Sequence, residues 1–76
     1  MISIILETLR TGQSRVTARE QGRTVCFFDG DAGSEIKLIE LVLTRAAFAH
    51  QVGSKFNSKF IEMNDAAKAV GSHLLR

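Results

Sequence analysis

Residues 14–29, Ser14-Arg15-Val16-Thr17-Ala18-Arg19-Glu20-Gln21-Gly22-Arg23-Thr24-Val25-Cys26-Phe27-Phe28-Asp29, decide the fold. Two alternating runs with β-branched and aromatic residues flank Gln21-Gly22, a pair suited to a two-residue hairpin loop because glycine accepts positive φ. The first run, Ser14–Glu20, puts Val16 and Ala18 on one face and Arg15, Thr17 and Arg19 on the other. The second, Arg23–Asp29, sets Val25 and Phe27 opposite Thr24, Cys26 and Phe28. Regular pairing across Gln21-Gly22 then predicts Ala18 beside Val25, Val16 beside Phe27 and Arg15 beside Phe28.

Upstream, Ile2–Arg10 alternates in the same way, with Ile2, Ile4, Leu6 and Thr8 against Ser3, Ile5, Glu7 and Leu9. Thr11-Gly12-Gln13 is a turn. A three-residue loop pairs Leu6 with Ala18 and Thr8 with Val16, whereas a two-residue loop would put Ile4 and Leu6 on the arginine face. The longer loop is preferred because it gathers Ile2, Ile4, Leu6, Val16, Ala18, Val25 and Phe27 onto one core face.

Downstream, Asp29-Gly30-Asp31-Ala32-Gly33 reads as a loop. Ser34 is placed to cap a helix whose first turn carries Glu35, where the helix dipole favours an anion. The helix is expected to run to about Val52 and stop at Gly53. Ile36, Leu38, Ile39, Val42, Leu43, Ala46, Ala47 and Ala49 cover about half its circumference, while Leu41 and Phe48 fall among Lys37, Glu40, Thr44 and Gln51. Beyond it, Ser54 can start a second helix, with Phe56, Phe60, Met63, Ala67, Val70 and Leu74 in one seam. The alternative for this stretch is a short strand, Lys59–Met63, followed by a short helix from Asn64. The expected architecture is one α+β domain over residues 1–76, a three-stranded antiparallel meander followed by two helices (βββαα) in two layers.

Composition narrows the function classes. The chain has 76 residues, 45% hydrophobic and 24% charged, so disorder is not expected. One Cys permits no internal disulfide, and no Cys/His cluster suggests a structural zinc. A lone core in so short a chain supplies only ~3–5 kcal/mol, and oligomerisation is the common remedy. The opening Met1-Ile2-Ser3-Ile4-Ile5-Leu6-Glu7 is too short for a secretory segment, and no run approaches the ~20 apolar residues that span a bilayer. A soluble protein of a reducing cytoplasm, with no membrane partner, is expected. The net charge of +2 sits in residues 1–24, where Arg10, Arg15, Arg19 and Arg23 face only Glu7 and Glu20.

Three sites follow. The arginine face of the second strand, with Ile5, Leu9, Cys26 and Phe28 around it, is covered by another copy, is an ordinary solvated face, or offers Arg10, Arg15, Arg19, Arg23 and Phe28 to an anionic ligand or nucleic acid. The acidic loop places Asp29, Asp31 and Glu40 at the first, third and twelfth positions of a calcium loop. Ser34 stands where a sharp-turn glycine belongs, however, so a turn is expected, with Asp29, Asp31 and Glu35 the remote candidates for a metal-dependent enzyme. Leu41 and Phe48 on the first helix, with Ile5, Leu9, Cys26 and Phe28 on the sheet, form the expected oligomer interface, a dimer being the simplest case. Cys26 lies mid-strand as a small hydrophobe, and His50 and His73 are expected at the surface. The pattern calls for no cofactor and assembles no nucleophile–base pair. The leading expectation is a non-enzymatic, oligomeric binding module, with a nucleic-acid-binding protein as the alternative.

Overall fold

The computed structural model describes residues 2–49 and 61–72. Strands β1 (Ile2–Thr8), β2 (Ser14–Glu20) and β3 (Arg23–Gly30) form the antiparallel meander and are followed by helix α1 (Glu35–Ala49). A fourth strand, β4 (Ile61–Met63), and a short helix, α2 (Asp65–Gly71), complete the described chain. The sheet order is β3-β2-β1-β4, with β4 parallel to β1. The fold is α+β, with both helices on one face of the sheet: α1 lies across β2 and β3, and α2 lies against β1 and β4. No described helix is long and apolar enough to cross a membrane.

The core lies where the even-numbered residues of β1 and β2 meet the inner stripe of α1. Ile4, Val16, Ile39 and Val42 are fully buried, joined by Ile2, Ala18, Leu38, Ala46 and Ala67. Each large aliphatic hidden in this way contributes about 1.5–3 kcal/mol. The helix comes so close to β3 that a Cβ on Gly30 would stand 3.1 Å from a Leu38 methyl, which glycine avoids.

The first hairpin keeps the expected faces but not the expected register. Leu6 pairs with Val16 and Thr8 with Ser14, so the connection is the five residues Leu9–Gln13, closed by the Leu9 amide donating to the Gln13 carbonyl at 2.8 Å. A two-residue slip preserves side-chain parity, so the core set of β1 and β2 is unchanged.

The second hairpin corrects the sequence reading. Its loop is Gln21-Gly22, with φ of 51° and 77°, the paired positive values of a twist-matched tight turn. A β-bulge then interrupts the ladder: Arg19 pairs with Thr24 but Ala18 pairs with Cys26, leaving Val25 as the extra residue. Every residue after Val25 therefore faces opposite to expectation. Val16 pairs with Phe28, Thr17 with Phe27, and Arg15 with Asp29. Cys26 and Phe28 turn beneath α1, while Phe27, expected in the core, stands 52% exposed on the open face.

Of the two readings of the last stretch, the long second helix is corrected and the alternative, a short strand followed by a short helix, is the one found. Residues 61–63 extend the sheet, and α2 starts only after Asn64. The reason is local. Asn64 donates its backbone amide to Ile4 and its side-chain amide to Leu6 of β1, while its side-chain oxygen accepts from the Ala67 amide at 2.9 Å. It ties the chain to the sheet edge and caps the helix at once. The expected end of the first helix near Gly53, the start at Ser54, the seam residues Phe56, Phe60 and Leu74, the Phe48 side chain and both histidines lie outside the described residues.

Candidate interaction surfaces

Two surfaces of the described fold gather the candidate side chains. The first is the sheet face away from the helices. Its rows follow from the register: Asp29, Arg15 and Glu7; then Phe27, Thr17 and Ile5; then Thr24, Arg19, Ser3 and Glu62. Apart from Asp29, Ser3 and Glu62, these residues line an open depression of about 530 Å³. Arg15 is its organising side chain. Its Nε and Nη2 donate to the two Asp29 carboxylate oxygens at 2.6 and 2.9 Å, a bidentate pair. Its guanidinium lies 4.6 Å from the centre of the Phe27 ring. The hydrogen bonds from Arg15 hold the Asp29 carboxyl below the usual range, and the same bonds raise Arg15. Arg19 donates to the Gly22 carbonyl at 3.0 Å, which aims it along the hairpin end.

Among the described residues, this face carries two cations, Arg15 and Arg19, against three carboxylates, Glu7, Asp29 and Glu62. The basic patch expected from the sequence therefore does not assemble as a patch. Arg10 sits in the β1–β2 turn and Arg23 at the start of β3, at opposite ends of the sheet, about 20 Å apart over six residues of strand. Leu9 is half-buried in the same turn as Arg10.

The second surface runs along the outer side of α1 beside β3. Phe28, Lys37, Glu40, Leu41, Thr44 and Arg45 line a groove of about 430 Å³. The five helical residues fall at i, i+3, i+4, i+7 and i+8, one continuous stripe. Leu41, 41% exposed, stands in its middle, and Ile36, expected to be buried, is 40% exposed. Cys26 lies beside this groove on the buried side, its Sγ 3.9 Å from the Val42 carbonyl oxygen. Burial raises its thiol pKa, the opposite of what a thiolate nucleophile needs.

The acidic loop closes on itself. Asp29 is taken by Arg15. Glu35 accepts from the Ser14 hydroxyl at 2.9 Å and from the Gly33 amide at 3.0 Å, and the amide hydrogen bonds, that of Gly33 first, hold its carboxyl below the ordinary range. The Ser34 amide donates to the Asp31 carbonyl, and the Ser34 carbonyl accepts from Leu38, so Ser34 occupies the cap position as expected. Among the described residues no three His, Cys, Asp or Glu side chains converge as metal ligands, and Asp29, Asp31 and Glu35 do not form such a group.

Comparison with protein-family models, curated proteins and solved structures returns no match.

The site residue that sequence reading misplaced is Phe27, exchanged with Phe28 by the bulge. A signal for it exists in the chain. The register that sets Arg15 opposite Asp29 gains a cross-strand charge pair, and that same register puts Phe27 opposite Thr17 on the open face.

Proposed function

We propose that the protein is a non-enzymatic interaction module that works as an assembly of copies. The observation that carries this reading is that Phe27, Ile36 and Leu41 stay between 40% and 52% exposed in a chain of only 76 residues. Such a chain hides a small core, and its remaining apolar surface is a standing incentive to associate. The open sheet face supports the same class of function. An apolar centre of Ile5 and Phe27 is rimmed by charges of both signs, the composition of a surface that meets another protein. The free thiol of Cys26 accords with a reducing compartment such as the cytoplasm.

Light scattering on the protein eluting from a gel-filtration column tests the reading. A mass above that of one 8.4 kDa chain is expected at ~50 µM. A steady single-chain mass at that concentration would overturn it.

The second reading is single-stranded nucleic-acid binding, favoured by the guanidinium of Arg15 resting on the exposed Phe27 ring. It is the weaker one, because Asp29 already neutralises that arginine and the face as a whole is net acidic by one charge. It requires oligonucleotide binding that weakens steeply as salt rises from ~50 mM. A flat fluorescence-polarisation titration at that salt ends it.

A further inference from the structure

We infer that two copies join edge to edge through β3, antiparallel about Phe28, so that the two sheets become one and the two α1 helices meet across the dyad. The inference rests on the self-association proposed above and supplies its geometry.

The sheet has two edges and they differ. Among the described residues β4 is three residues long, a short template for another strand. β3 is eight residues long, and no described element pairs with its outer side. The bulge at Val25 disrupts only its first half, leaving Cys26–Gly30 as a regular free edge. An antiparallel pair centred on Phe28 uses those five residues: Phe28 faces its own copy, and Cys26 faces Gly30 of the second copy.

The helices make the second copy the fitting occupant. α1 packs on β2 and β3 to a similar extent, so its axis lies over the gap between them, about half of the ~4.8 Å strand spacing inside β3. Joining two β3 edges at one strand spacing brings the two α1 axes to about 10 Å, the upper end of ordinary helix packing. Backbone pairing and helix contact are thus satisfied by one arrangement. The stripe that would meet its copy is the one carrying exposed Leu41 beside Phe28. Gly30 lies against Leu38 and the Cys26 Sγ is 3.9 Å from the Val42 carbonyl oxygen, so Phe28 sits level with the turn that holds Leu41, and the dyad through Phe28 brings Leu41 of one helix beside Leu41 of the other. An isologous contact of this kind closes at two subunits.

Charge exchange tests the geometry. Leu41→Glu and Leu41→Lys are each made alone, and Lys68→Ala, exposed on α2 and away from the β3 edge, serves as the control. Sedimentation velocity is run on each protein and on a one-to-one mixture of the two charge variants. Each charge variant is expected to sediment as a single chain, because like charges meet across its dyad. The mixture is expected to recover the mass of two chains, since that contact is then between opposite charges, and Lys68→Ala is expected to remain dimeric. A role of Leu41 confined to its own chain would not produce recovery on mixing. Charge variants that stay dimeric, or a mixture that stays monomeric, overturn the edge geometry while wild-type association stands. A monomeric wild type overturns both.

Discussion

The bulge at Val25 makes a sharp prediction about two adjacent phenylalanines. Phe28 packs against the buried cluster beneath α1, whereas Phe27 stands 52% exposed on the opposite face. Changing each to Asp separates the two environments. At Phe28 the change removes most of a ring's burial, about 2–3 kcal/mol for a partly covered phenyl. It also presses a carboxylate against an apolar helix face, costing about 1–3 kcal/mol more. Together these amount to about 4 kcal/mol. At Phe27 the losses are the contact with Arg15, about 0.5–1 kcal/mol at an exposed site, and about 1 kcal/mol of partial burial. Part of that is offset by a new carboxylate between Arg15 and Arg19. A 76-residue domain commands only about 4–11 kcal/mol in all. Phe28→Asp is therefore expected to unfold the protein or leave it marginal, and Phe27→Asp to leave it folded. Urea titrations followed by far-UV circular dichroism, with both changes made in a Leu41→Glu chain so that association drops out, read this directly. The opposite order of stabilities, with Phe27→Asp the more damaging, would restore the regular hairpin and refute the bulge.

Three further outcomes follow from local geometry. Gln21→Asn is expected to stabilise the protein by on the order of 0.5 kcal/mol in thermal unfolding, because Asn tolerates the positive φ of 51° that Gln21 adopts. Asn64→Ala is expected to cost about 1–2 kcal/mol, since it removes a helix cap and a hydrogen bond to Leu6 together; in hydrogen exchange, β4 and α2 should open before the meander. Glu35 is held below the ordinary carboxylate range, so its contribution is present above about pH 4.3 and is lost as pH falls through its lower folded value. Glu35→Gln should therefore lower stability at neutral pH, by an amount that shrinks as pH falls below about 4.3, and an unaltered slope of stability against pH would contradict the role of that carboxylate as acceptor for the Gly33 amide.

Much of the fold was legible in the chain because side-chain parity is robust. Ile2, Ile4, Leu6, Val16 and Ala18 share a face whether the first loop has three residues or five, so an error of two in register left the core of β1 and β2 intact. The same parity makes a single inserted residue decisive. Val25 is apolar on either face and nothing in Arg23-Thr24-Val25-Cys26 marks a bulge, so Phe27 and Phe28 exchanged places. The strand at 61–63 was legible only as the alternative to a longer helix, because of a different coincidence. Met63, Ala67 and Val70 fit a helical seam, and only the hydrogen bonds of Asn64 to β1, which are long-range, select the strand-cap-helix path. Of the candidate surfaces, Leu41 on the outer helix was readable from its polar neighbours. The net acidic balance of the sheet face was not, because it depends on Glu62 arriving beside Ser3 from 59 residues along the chain.

Dilution-dependent hydrogen exchange tests most directly whether one copy covers another. Amide deuteration of peptides spanning residues 23–30 and 35–45 is compared at ~100 µM and ~0.5 µM, with residues 14–20 as the internal reference. Slower exchange at the higher concentration, confined to the β3 and α1 peptides, is the expected result. Identical exchange in every peptide at both concentrations would mean that the apolar exterior stays bare, and the account of this protein as a self-covering module would be wrong.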